Sequence, residues 1–158
     1  MKNRKRKRLP EYDYSQDNLY FVTSCVQGRV CSFGEVINQK MILNENGIIA
    51  EKQWYWLSEQ YSYLKLHAFV VMPNHIHGII EIKRNRDESK QKIKPLSQLM
   101  GAYKTTTSKQ IHLLGNSSFA WQRSFHDHII RNEQSFENIS KYIDINPIKW
   151  NEDKFHEG

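Results

Sequence analysis

In VVMPNHIHGII, residues 70–80, two histidines one residue apart interrupt an apolar run. Residues two apart in a β-strand point to the same face. His75 and His77 therefore share one side, and Ile76 points to the other. Ile76 can anchor the strand in a core while both imidazoles reach the opposite surface. Two neutral imidazoles on one face can grip one divalent cation. The same spacing also serves two half-exposed histidines with no common ligand. A second His-x-His lies in FHDHII, where His126 and His128 flank Asp127. Neither face of that strand is cleanly apolar: Phe125, Asp127 and Ile129 alternate with His126, His128 and Ile130. His126 reads as exposed, and His128 as a structural group or one that supports the first pair.

A cation site becomes a reaction site when a nucleophile joins it. Tyr142 and Asn146 are four residues apart, hence on one face of a helix. A phenol and an amide so placed offer a nucleophile and an extra metal ligand. A core tyrosine with its hydroxyl bonded, and an asparagine capping the helix before Pro147, explain the same residues. The chain has eight tyrosines, so spacing alone does not single out Tyr142.

Seven elements must position these groups. LYFVTSCVQ, 19–27, is aromatic and β-branched and reads as a strand, with VCSF continuing after a turn at Gly28-Arg29. Helical spacing of Ile42, Ile49, Trp56 and Leu57, with Asn44 as an N-cap, predicts a helix over 44–60. Strands over 63–72 and 75–83 are separated only by Pro73-Asn74 and should pair as an antiparallel hairpin. Pro95 opens a second helix with Leu96, Leu99, Met100, Tyr103 and Thr107 on one side. Part of 119–131 alternates as a strand. A third helix begins near Asn132, carries Phe136, Ile139, Tyr142 and Ile143, and should end just before Pro147. The order strand, helix, strand, strand, helix, strand, helix is that of an α+β, ferredoxin-like (split βαβ) fold. It implies an antiparallel sheet, helices on one face, and an extra C-terminal helix carrying the tyrosine. Such sheets leave a face open for nucleic acid in several binding modules.

The chain of 158 residues, 39% hydrophobic and 25% charged, suits one globular domain. Residues 1–18 read as a basic arm, 19–150 as the domain and 151–158 as a tail. No apolar run approaches a membrane span, and a polar stretch follows the basic N-terminus, which argues against a secretory signal. Cys25 and Cys31 read as buried free thiols. These features predict a cytoplasmic protein that does not enter a membrane. The formal charge is +6, concentrated in Lys2, Arg4, Lys5, Arg6, Lys7 and Arg8 and again in Lys83, Arg84, Arg86, Lys90, Lys92 and Lys94. Such clusters suit a phosphate backbone, although solvated tails and loops look the same. Lys104, Lys109 and Arg123 are further candidates for phosphate contact. Tyr103, Trp121 and Phe125 are candidates for base stacking, with core packing as the ordinary alternative. Trp54, Trp56 and Trp150 are assigned to packing.

MPNHIHGII, then WQRSFHDHIIR, then YIDINPIKW resemble the single-tyrosine HUH transposases, in which HUH denotes His-hydrophobic-His. The opening YDYSQDNLYFVTSCVQGRVCSFG resembles their REP-associated tyrosine transposase branch. The likeness runs from about Tyr12 to Trp150. It implies the ferredoxin-like fold and the cutting and rejoining of single-stranded DNA, usually at a hairpin. His75 and His77 match the family's metal-ligand histidines. Tyr142 matches its nucleophile, and Asn146 the polar residue one turn later that assists the metal, which in the larger insertion-sequence branch is often glutamine. The resemblance allows Mg²⁺ or Mn²⁺; imidazole ligands favour Mn²⁺. Relatives in the larger branch act as dimers with shared sites, whereas the REP-associated branch can act as a monomer, so both a monomer and a homodimer are expected forms. The expected reaction joins Tyr142 to the DNA 5′ end and frees a 3′ hydroxyl, a step a second strand can reverse. Two other readings stand beside it: a hairpin-binding protein of the same fold that does not cut, and a metallohydrolase that uses water and leaves no adduct.

Overall fold

The structure is a computed structural model that describes residues 18–83 and 92–152. Its elements are β1 (Leu19–Cys25), a 3₁₀ turn (Gln27–Arg29), β2 (Gly34–Ile37), β3 (Lys40–Leu43), α1 (Glu45–Gln60), β4 (Leu64–Met72), β5 (His75–Ile82), α2 (Leu96–Leu113), β6 (His126–Ile129), α3 (Glu133–Ile145) and a last 3₁₀ turn (Trp150–Glu152). The main sheet runs β4-β5-β1-β6, and every neighbour is antiparallel. β5 lies between β1 and β4, which α1 connects; β1 lies between β5 and β6, which α2 connects. Two split βαβ units thus interleave, and the predicted α+β, ferredoxin-like arrangement is observed.

The two faces of the sheet carry different cores. Val22, Val71, Ile76 and Ile80 point toward α1 and α2, where Trp54, Leu57, Leu99, Met100 and Tyr103 are buried. Leu19 and Ile79 point the other way and pack with Ile130, Phe136 and Ile143, the last two from α3. The second face is therefore not an open platform, because α3 lies on it. Period-two alternation places His75 and His77 on this α3 side and Ile76 in the larger core.

Local chemistry explains the boundaries. Asn44 Oδ1 accepts from Gly47 N at 2.9 Å and starts α1, and Asn132 Oδ1 accepts from Ser135 N at 2.7 Å and starts α3. Both are N-caps that satisfy a donor left over by the helix. Helix α3 ends at Ile145, two residues before Pro147. Gly78 is required by packing: a Cβ there would overlap the Trp54 ring, which stacks on Phe69 at 4.4 Å and 8°.

Two expectations are corrected. VCSF does not continue as a strand; β2 and β3 form a separate two-stranded ribbon between β1 and α1. Asn38 and Gln39 close it with positive φ of 52° and 65°, the left-handed pair that a two-residue hairpin needs. Cys31 is exposed rather than buried, because it lies in irregular chain after the Gln27–Arg29 turn; Cys25 is buried, and no disulfide joins the two.

Candidate active site

Strand β5 brings the two histidines opposite β1, with Cys25 facing His75 and Thr23 facing His77. They do not stand on an open surface: His75 is 0% and His77 2% exposed. The strand is central and is roofed by α3 and the residues after it, and the Trp150 ring stacks on His75 at 6.2 Å and 26°. The two Nε2 atoms converge at 3.2 Å. The outer nitrogens are tied down: His75 Nδ1 to Asn74 Oδ1 at 2.7 Å, and His77 Nδ1 to Thr23 Oγ1 at 2.7 Å. Such partners fix ring orientation and the nitrogen left to bind a metal. Burial pushes the His75 pKa down to about 3; the nearby Asn146 amide opposes the shift and the Arg29 charge adds to it. His75 is thus neutral at pH 7, the form a ligand needs.

Helix α3 lays Tyr142 and Asn146 over this pair. The Tyr142 ring lies 5.3 Å from the His77 ring and meets Phe21 edge-on at 6.3 Å and 89°. Tyr142 is nonetheless 40% exposed, so the phenol is not a sealed core group. Asn146 is 2% exposed and serves both readings of its position. Its Nδ2 donates to the Tyr142 carbonyl at 3.1 Å, closing the last turn. Its Oδ1 is buried and accepts no hydrogen bond among the described residues. The amide is near enough to bias His75 toward protonation. An unsatisfied buried oxygen costs about 1–3 kcal/mol. A cation would satisfy it, and two imidazole nitrogens plus an amide oxygen form a donor set that fits Mn²⁺ well and Mg²⁺ less well. Among the described residues no cluster of three or more His, Cys, Asp or Glu offers a competing metal site.

A cavity of about 540 Å³ opens from Tyr142 and His77 across Phe21 and Thr23 to His126, Asp127 and His128, with Arg29 in its wall. Register explains the convergence: Thr23 faces His126 and Phe21 faces His128, so the second His-x-His lies on the same side of the sheet as the first. His126 is exposed as expected, and His128 is exposed beside the site. Sequence reading missed Phe21, Thr23, Arg29 and Asn74, and gave Trp150 only a packing role. Alternation in LYFVTSC puts Phe21 and Thr23 on one face, but only strand pairing shows which histidines they meet.

The candidate phosphate contacts are scattered. Arg123 is exposed and Lys83 half-buried. Lys104 Nζ donates to the carbonyls of Gln122 at 2.7 Å and Arg123 at 3.3 Å, which ties α2 to the approach to β6; burial lowers its pKa. Arg4, Lys5, Arg6, Lys7, Arg8 and Arg84 lie outside the described residues. Tyr103 cannot stack on a base: it is fully buried, and its hydroxyl donates to the Ala50 carbonyl at 2.9 Å. Trp121 is held by its Nε1, which donates to the Lys104 carbonyl at 3.1 Å, and packs on Phe119 and Phe33.

A ferredoxin-like sheet with paired imidazoles on a central strand and a tyrosine-bearing helix across them defines a class of α+β protein. Residues 39–146 match the family described as IS200-like transposases, and the chain belongs to that family. An uncharacterized protein of Haemophilus influenzae is 30% identical, over 98% of this chain and 93% of its own length. A second protein of that organism, named "Putative REP-associated tyrosine transposase", is 28% identical over 87% of this chain and 74% of its own. The solved structure of a REP-associated tyrosine transposase bound to a REP hairpin shares the fold with a TM-score of 0.60 and 22% identity, over 89% of this chain and 74% of that one. No helix among the described residues is long and apolar enough to cross a membrane.

Proposed function

We propose that this transposase cuts and rejoins single-stranded DNA at a hairpin through a 5′-phosphotyrosine on Tyr142. The observation that carries the reading is the placement of Tyr142: its ring packs on His77, yet it remains 40% exposed at the mouth of a cavity. His75, His77 and the Asn146 Oδ1 would hold a divalent cation, Mn²⁺ or Mg²⁺. When bound, such an ion neutralises charge that develops on the scissile phosphate. The Tyr142 oxygen attacks phosphorus and loses its proton, the bond from phosphorus to the 3′ oxygen breaks, and that oxygen leaves as a hydroxyl. The phosphate stays on the DNA 5′ end as a tyrosyl ester, so a second strand's 3′ hydroxyl can reverse the step. Arg29 in the cavity wall supplies positive charge that favours a phosphate there. Tyr142 and His77 meet within one chain, which supports a monomer as the working unit; a homodimer is not required.

Single-stranded hairpins incubated with the protein and Mn²⁺ should yield a protein band retarded on a denaturing gel. Tyr142→Phe should lower cleavage by more than about 10³-fold. Hairpin binding with no cleavage in Mn²⁺ or Mg²⁺ would reduce the function to recognition. Cleavage that survives Tyr142→Phe and leaves no adduct would point to hydrolysis by water.

A further inference from the structure

We infer that Thr23 is a positioning residue whose hydroxyl changes from donor to acceptor as His77 changes tautomer, so that one imidazole pair is stable both without and with a cation. The donor half follows from hydrogen bonding alone; the acceptor half rests on the metal-binding reading above.

The bond chain begins at a group that can only accept. The Arg29 carbonyl receives Asn74 Nδ2 at 3.3 Å, which sets the amide so that its Oδ1 faces His75. That oxygen, 2.7 Å from His75 Nδ1, can only accept, so the His75 proton lies on Nδ1 and its Nε2 carries a lone pair. His77 Nε2 is 3.2 Å from that lone pair. Two lone pairs at this separation repel, so in the metal-free protein His77 carries its proton on Nε2 and donates to His75. His77 Nδ1 is then an acceptor, and the Thr23 hydroxyl at 2.7 Å donates to it.

A shared cation requires the reverse at His77 and nothing new at His75. Both Nε2 atoms must offer lone pairs, so the His77 proton moves to Nδ1 and needs an acceptor. The same Thr23 oxygen provides it once the hydroxyl turns its hydrogen away. Thr23 lines the cavity, so that hydrogen has space to turn into. A hydroxyl can donate or accept by rotating about one bond, whereas a carbonyl in that place would only accept and a backbone N–H would only donate. The two imidazoles therefore have unlike supports: a fixed acceptor behind His75 and a reversible partner behind His77.

Two measurements on the full-length protein test this. Ring-nitrogen NMR of ¹⁵N-histidine protein without metal should show His75 protonated at Nδ1 and His77 at Nε2. Addition of Mg²⁺, which is diamagnetic, should move the His77 proton to Nδ1 and leave His75 unchanged. Finding His77 protonated at Nδ1 before any metal is added would overturn the donor half. In calorimetric titration with Mn²⁺, Thr23→Val should weaken binding by at least about tenfold, the usual scale for losing a group that orients a ligand. Thr23→Ser, which keeps the hydroxyl, should bind within about threefold of the unaltered protein, the scale of an exchange that spares the orienting bond. Equal affinity in Thr23→Val would overturn the acceptor half. An unaltered protein that takes up no Mn²⁺ would overturn the metal reading and the acceptor half together, with the metal-free tautomers still deciding the donor half. If Thr23→Val fails to fold, the NMR measurement and Thr23→Ser carry the test.

Discussion

Burial of His75 leaves a thermodynamic signature that does not depend on any metal. With its pKa pushed down to about 3, the folded chain stays unprotonated there while the unfolded chain takes up a proton below about 6.5. The unfolded state therefore binds the extra proton between those limits, and stability falls as pH falls. In metal-free protein, urea unfolding from pH 6.5 to pH 3 should show a contribution of about 1.4 kcal/mol per pH unit from this group. His75→Gln should flatten the curve by that amount; parallel curves would contradict the assignment. Asn146→Ala separates the two jobs of the amide. It removes the bond to the Tyr142 carbonyl but also an unsatisfied buried oxygen, so stability should change by less than about 1 kcal/mol. Mn²⁺ affinity measured by calorimetry should fall by at least about tenfold. The sequence made His75, His77, Tyr142 and Asn146 legible because each belongs to a short motif. It hid Thr23 and Asn74, since nothing in a threonine or asparagine by itself shows that it backs an imidazole.

At the level of elements, the periodicities and the β4–β5 hairpin were readable, and the pairings of β1 with β5 and β6 were not. Asn44 as a cap announced α1, the Leu96 to Thr107 spacing announced α2, and the spacing of Phe136, Ile139 and Ile143 announced α3, whereas the Asn132 cap was found only in the structure. The β2–β3 ribbon escaped because Asn38-Gln39 lacks the glycine that usually marks such a turn, and because Met41 and Ile42 look like the start of the following helix. The cavity depends on β6 pairing with β1, a long-range pairing that no local pattern encodes. Asn132→Ala should cost about 1 kcal/mol through loss of the α3 cap, read as a shift in the urea midpoint. Gly78→Ala should cost about 1–3 kcal/mol, since the methyl group must displace the edge of the Trp54 ring, which is stacked on Phe69, and also presses on Phe69 itself. A neutral Gly78→Ala would show that this part of the core yields more readily than its packing implies.

For the whole molecule, charge and site call for separate experiments. The basic arm contributes Lys2, Arg4, Lys5, Arg6, Lys7 and Arg8, which the sequence offers as candidates for phosphate contact. Deleting residues 1–17 should reduce the dependence of hairpin affinity on salt, by about 0.7 in the log–log slope for each single-strand phosphate that the arm neutralises. Lys104→Ala should leave that slope unchanged and lower stability instead, because its ammonium group is bonded to two carbonyls. An unchanged slope on deletion would remove the arm from the DNA interface. The most direct test of the central claim is peptide mapping of the covalent adduct by mass spectrometry after reaction with a hairpin and Mn²⁺. The account predicts the nucleotide on the peptide that contains Tyr142, joined through its 5′ phosphate. A nucleotide on any other residue, or cleaved DNA with no modified peptide, would contradict it.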